Sequence, residues 1–156
     1  MTELIKVLPN SNLPTFTATV VSEDAGSDLL TSLLIDYGVA AGNGAPWQAS
    51  VVGPLVEAKT VLDGPRDIQI TWSPGQIAPG CHTVTMLVTH QRKNAGTDFL
   101  CPSDANDFDT LTWVVSLCEE VGNDIVCNFD DCAVKGEQEY TYCETVGPLS
   151  SGGSQG

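Results

Sequence analysis

Hydrophobic and polar residues alternate with a period of two over most of the chain from Thr15 to Cys118, and the 3.6-residue period of a helix is almost absent. In Thr15–Val21, Phe16, Ala18 and Val20 share one face and Thr15, Thr17 and Thr19 the other, the pattern of a half-buried strand. Leu29–Tyr37 repeats it, with Leu29, Leu33, Ile35 and Tyr37 opposed to Ser32 and Asp36, although Leu30 and Leu34 add weak helical character. Trp47–Val52, Leu55–Leu62 and Ile68–Ser73 read as further strands, divided by Gly53-Pro54 and by Asp63-Gly64-Pro65. The cleanest strand is Cys81–His90, where His82, Val84, Met86, Val88 and His90 oppose Thr83, Thr85, Leu87 and Thr89. Leu111–Cys118 closes the series, with Leu111, Trp113, Val115 and Leu117 marking one buried face.

Strands spaced roughly 8 to 12 residues apart, with Gly, Pro, Asn and Asp between them, predict an all-β antiparallel sandwich and argue against a parallel α/β sheet. The sandwich is expected over residues 4–117. From Cys118 the texture changes to acidic and turn-forming residues around short apolar pieces, Ile125–Cys127 and Tyr140–Cys143. Residues 118–146 are therefore expected to form a short Cys-rich extension, stapled to itself or to the sandwich, and 147–156 a flexible Gly- and Ser-containing tail.

Composition narrows the function classes. The 156 residues carry 20 acidic and 6 basic side chains, a formal charge of −14. That charge repels phosphate backbones and anionic lipid surfaces, so nucleic-acid and membrane-surface binding are not expected. No window approaches the roughly 18 consecutive apolar residues of a membrane span, and Met1–Asn10 lacks the basic start and apolar stretch of a signal peptide. All six cysteines lie between Cys81 and Cys143, with no CxxC pair, which reads as a disulfide framework made in an oxidising compartment. An extracytoplasmic location in turn implies an export signal removed upstream of this numbering.

The run Pro79-Gly80-Cys81-His82-Thr83-Val84-Thr85-Met86-Leu87-Val88-Thr89-His90 resembles the penultimate strand of an immunoglobulin-like domain, and Leu111-Thr112-Trp113-Val114-Val115 its final strand. With Cys101-Pro102 between them, the segments are similar to those of bacterial envelope lipoproteins that carry a single immunoglobulin-like domain. The likeness spans roughly Pro9–Leu117. It implies an immunoglobulin-like sandwich and an envelope location, with no active site attached. No lipobox cysteine precedes the domain, so the only membrane link it implies is a lipid anchor on a precursor.

Six cysteines allow 15 connectivities. A Cys81–Cys101 bond is expected, because Cys101 lies in the loop that follows the strand opened by Cys81. Cys118, Cys127, Cys132 and Cys143 are expected to pair among themselves, as Cys118–Cys132 with Cys127–Cys143, or as Cys118–Cys143 with Cys127–Cys132. Their spacings are too irregular for a zinc ribbon, and neither histidine lies among them.

No cofactor is expected, with one candidate exception. Asp104, Asn106, Asp107 and Asp109 cluster the hard oxygen ligands that calcium favours, but without the central Gly and the closing Glu of an EF-hand, and such residues also build Asx turns. His82 and His90 share one strand face, yet eight residues at about 3.3 Å each separate them by about 26 Å, too far for one site. There is no GxSxG elbow, and Gly42-Asn43-Gly44 matches neither a P-loop nor GxGxxG. Trp72 and Trp113 fall on apolar faces, whereas Trp47, beside a Gly-rich loop, is the candidate for an exposed sugar platform together with Tyr37. The chain is thus expected to be a non-enzymatic exported module with a structural or protein-binding role in a bacterial envelope, its partner another protein. The alternative is a carbohydrate-binding module or an accessory domain of a secreted hydrolase.

Overall fold

The computed structural model describes residues 4–9, 12–21, 26–58, 64–75, 77–104, 106–129 and 142–143. The expected tail at 147–156 and Cys132 lie outside them. Among the described residues the fold is all-β, with nine strands in three sheets. The first sheet has the order β1 (Leu4–Val7), β7 (Phe108–Leu117), β6 (Gly80–Thr89), β3 (Leu30–Ile35), β4 (Ala49–Val52). The second is the antiparallel pair β2 (Thr15–Val20) and β5 (Arg66–Thr71). β8 (Glu119–Val121) and β9 (Asp124–Val126) form a separate hairpin. The described residues contain no helix long and apolar enough to cross a membrane.

The alternation places the inner core. Phe16 from β2 and Ile68 and Ile70 from β5 meet Leu33 and Ile35 from β3, Val84, Met86 and Val88 from β6, and Val115 and Leu117 from β7. Trp72, just past β5, is buried in the same cluster, and the Phe16 and Trp113 rings lie 5.1 Å apart across it. The polar faces of β2 and β5 pair across the strands: Thr15 Oγ1 bonds Thr71 Oγ1 at 2.8 Å, and Thr19 Oγ1 donates to Asp67 Oδ1 at 2.9 Å.

β3 departs from simple alternation, because every residue from Thr31 to Ile35 is buried. Leu33 and Ile35 face the inner core, whereas Leu34 joins Leu87, Leu100, Cys101, Ala45 and Trp47 in a second apolar cluster on the outer side of the sheet. This accounts for the helix-like Leu-Leu spacing: a strand covered on both faces reads as a nearly continuous apolar run. Thr31 completes the strand's packing, donating Oγ1 to Pro54 O at 2.7 Å while its carbonyl accepts from Gly53 N and from Arg92 Nη2.

Four expectations need correction. The first sheet is mixed and not wholly antiparallel, since β1 runs parallel to β7, with Leu4 opposite Val114 and Val7 opposite Leu117. Leu55–Leu62 is not a strand over its described part, where Val56 makes only an isolated bridge to Leu29; Pro54 supplies no amide, and the chain is drawn off to cap Thr31. Trp47 and Gln48 precede β4: the Gln48 backbone N–H still donates to Ile35 O, while its side-chain Nε2 donates to the Val39 and Ala40 carbonyls of the preceding loop. The buried face expected on β7 fails at Leu111, which is 49% exposed, since β1 covers β7 only from Val114 onward.

Gly53 sits where β4 leaves the sheet beside Thr31 and Ile70. A Cβ there would overlap Thr31 Oγ1 and the Ile70 side chain, both within the packed interior. Gly53→Ala is expected to lower unfolding stability by about 1–3 kcal/mol through overpacking. A urea midpoint equal to that of the parent chain would show that the interior absorbs the methyl group without strain.

Candidate interaction cleft

The cysteine bonds differ from the expected set. Cys101 bonds Cys143, with Cα atoms 5.5 Å apart, and Cys118 bonds Cys127 at 4.2 Å. Cys81 is disulfide-bonded as well, and its partner is neither Cys101 nor any other described cysteine. The expected Cys81–Cys101, Cys118–Cys132, Cys127–Cys143 and Cys118–Cys143 bonds are therefore absent, and Cys127–Cys132 with them. Distance explains the first: Cys101 packs against Leu87, six residues along β6 from Cys81 and so about 20 Å away, whereas bonded cysteines keep their Cα atoms within about 7 Å.

Register explains the second bond. Glu119 pairs with Val126 at the base of the β8–β9 hairpin, which leaves Cys118 and Cys127 directly opposite each other. The signal for this lay in Gly122-Asn123, a two-residue hairpin turn in which Gly122 takes φ 64°.

The aromatic residues expected to form a sugar platform are packed instead. Trp47 is 4% exposed and meets the Phe99 ring edge-on at 6.0 Å, inside the outer cluster. Tyr37 accepts a hydrogen bond from the Cys143 backbone N–H at 2.9 Å and lies 5.1 Å from the Tyr142 ring. The outer cluster is thus the seat on which Tyr142 and Cys143 are fastened, by one covalent bond, one hydrogen bond and one ring contact.

The two histidines stand at opposite ends of β6, each on an aspartate. His82 Nδ1 lies 2.7 Å from Asp36 Oδ2 and Nε2 2.7 Å from Ala78 O, while Asp36 Oδ1 accepts from Thr83 N. His90 Nδ1 lies 2.5 Å from Asp107 Oδ1, and Asp107 Oδ2 accepts the His90 backbone N–H at 3.2 Å. Of the other candidate calcium ligands, Asp104 Oδ1 accepts from Asn106 N and Asp109 Oδ1 from Thr110 N. Asp104 closes an Asx turn, Asp107 orients His90, and Asp109 holds the amide that follows it in β7. Among the described residues, no three His, Cys, Asp or Glu side chains gather as a metal site.

What the structure does build is a cleft. Ahead of Leu4, the first residue of β1, the two sheets part between β2 and β7 and leave a cavity of about 750 Å³. Its floor is the buried trio Leu29, Met86 and Val88; Ala18 and Val20 of β2 form one wall, Phe108 and Leu111 of β7 the other. His90, Asn106, Asp107 and Asp109 make one end polar. Phe108 and Leu111 stand 39% and 49% exposed at this opening, and Val21 beside them 78%. Sequence pattern did not single out this place, because no unusual residue type marks it: it exists only where two strands diverge. Compared with protein-family models, curated proteins and solved structures, the chain matches none.

Two measurements test the bonding. In the chain-entropy picture the Cys101–Cys143 bond, at a separation of 42, contributes about 4 kcal/mol and the Cys118–Cys127 bond, at 9, about 2.5 kcal/mol. Replacing both members of each pair with serine should therefore destabilise the chain more for the first pair; equal losses on urea melting would contradict the seating of Cys143 on the outer cluster. Burial raises the Tyr37 pKa above 10.0, the Cys143 N–H opposes the rise and Tyr142 adds to it. The unfolded chain then loses this proton first, so the tyrosine's contribution is intact below about pH 10 and declines as pH climbs through the folded-state value. Tyr37→Phe should abolish that alkaline decline at a baseline loss of about 1 kcal/mol, from the unpaired Cys143 amide; an unchanged decline would assign it to another group.

Proposed function

We propose that the chain is an exported immunoglobulin-like interaction module, without catalytic activity of its own, whose working surface is the cleft between β2 and β7. The strand order supports the immunoglobulin-like part. The sheet β7-β6-β3-β4 over the pair β2-β5 corresponds to strands G, F, C and C′ over B and E of that sandwich, and β1 lies against β7 as an edge strand. Two departures accompany it: no disulfide links β2 to β6, and no strand lies between β4 and β5 among the described residues. The disulfides support an extracytoplasmic location, since such bonds persist where the medium is oxidising. A bacterial envelope, with attachment through a lipid anchor on a precursor, is the setting that the family likeness favours.

The observation that carries the interaction reading is the exposure of Phe108, Leu111 and Val21 around an apolar-floored opening, on a chain of charge −14. Grouped apolar side chains on a charged surface mark places where a partner excludes water. The partner is a protein. The packing of Trp47 and Tyr37 leaves neither ring as a flat platform for a glycan.

Site-specific photo-crosslinking in the source cells tests this. A photoreactive side chain at Phe108 should capture one recurring protein, and the same group at exposed Gln69 on β5 should not. Identical adducts at both positions, or none at Phe108, would overturn the assignment of the cleft.

A further inference from the structure

We infer that the β8–β9 hairpin is a docking prong, which enters an apolar slot rimmed by Lys and Arg on a partner protein. It stands at the end of β7 away from the cleft, and the inference does not rest on the cleft. Three features of the hairpin carry it.

The first is that the hairpin serves no core. Cross-strand partners share one side of a hairpin and successive residues alternate, so Glu119, Val121, Asp124 and Val126 lie on one face, Glu120 and Ile125 on the other. Neither face is apolar throughout, and neither lies down on the sandwich. All six strand residues are exposed, and none belongs to either apolar cluster. Val121, Ile125 and Val126 stand about half exposed, and apolar side chains grouped in this way on a surface mark a place that a partner covers.

The second is rigidity. A two-stranded hairpin is marginally stable at best by itself. This one is fixed at its base by the Cys118–Cys127 bond and by hydrogen bonds on both sides, from Cys118 N to Val7 O and from Ser116 Oγ to Asn128 O. Gly122, at φ 64°, lets its turn close tightly. These constraints hold the shape of an element outside both clusters, and a pre-shaped surface loses less freedom when a partner closes on it.

The third is charge. Each apolar side chain stands opposite a carboxylate: Val126 faces Glu119, Ile125 faces Glu120 and Val121 faces Asp124. The hairpin carries no basic side chain. A second copy of the chain brings the same carboxylates and a total charge of −14 and is repelled, whereas an apolar slot with a basic rim attracts both kinds of side chain. Three residues per strand make the prong about 10 Å long, which sets the depth of the slot. The ten residues of β7, about 30 Å, separate this surface from the cleft at Phe108.

The test titrates the full oxidised chain, labelled with ¹⁵N, with a synthetic seven-residue peptide in which lysine alternates with valine. NMR shifts should saturate at Glu119–Val126 and be absent around Asp67, which is also acidic and exposed but lies on the polar face of β2 and β5. Ile125→Ser should weaken binding about tenfold by removing apolar contact, and Glu120→Lys about as much by reversing a charge. Because Ile125 is exposed, its variant is expected to fold; replacing Cys118 and Cys127 with serine, which frees the base of the hairpin, is a second variant that should also weaken binding. The same peptide with glutamate in place of lysine should not bind. Shifts spread evenly over all acidic residues, binding unchanged by Ile125→Ser, or no shift at millimolar peptide would overturn the prong. Concentration-dependent shifts at Val121 and Ile125 without peptide would assign the hairpin to a second copy of the chain and overturn it equally.

Discussion

The structure depends on one strand being buried on both sides. Leu33 and Ile35 close the inner core from β3, and Leu34 between them faces outward into a second apolar cluster. Fully burying a leucine contributes about 1.5–3 kcal/mol, so an uncovered Leu34 would be a substantial loss. The connections after β3 and β6 supply the cover. They fold back over the sheet and hold themselves by local hydrogen bonds, Gly38 N to Pro46 O and Ala41 N to Ala45 O in one, Lys93 N to Cys101 O and Asn94 N to Phe99 O in the other. Leu100, Cys101 and Trp47 are buried because these loops serve as a third layer.

The aspartates have a matching part at the strand ends. Asp36, at φ 53°, turns the chain sharply out of β3, and its carboxylate takes the Thr83 amide and faces His82. Asp107 does the equivalent at the other end of β6, holding the His90 ring and backbone together. Local polar pairing of this kind fixes where a strand stops, which apolar packing alone leaves loose. Much of what looks like ligand chemistry in the sequence is consumed in ending β3 and β6.

Legibility in the sequence followed how local each feature is. β2, β5 and β6 alternate over six or more residues, and their inner faces were readable as such, Phe16, Ile68, Ile70, Val84, Met86 and Val88 among them. β1 escaped notice because four residues, Leu-Ile-Lys-Val, carry too short a pattern, and its parallel pairing with β7 depends on residues more than a hundred positions away. Trp47 was misread for a related reason: a loop residue beside glycines and Pro46 looks exposed until the Leu34 face that needs covering is seen. The Cys101–Cys143 bond was illegible from spacing, since spacing says nothing of the loop that brings Cys101 onto Leu87. Cys118–Cys127 was missed too, although Gly122-Asn123, which sets the register of its hairpin, carried the signal for it. Asn106, Asp107 and Asp109 at the polar end of the cleft stood out in the sequence as candidate ligands, but the cavity itself had no signature, being a gap between strands whose apolar residues are ordinary.

Joining Cys101 to Cys143 also changes how the chain responds to damage. Every peptide bond between them, including all of β7, β8 and β9, lies inside one covalent ring. A protease that cuts anywhere in that ring opens it without freeing a fragment, and β7 remains clasped by β6 while both ends stay tethered. The bond thus acts as a damage-tolerance device: the strand that forms one wall of the cleft survives a single cleavage in place.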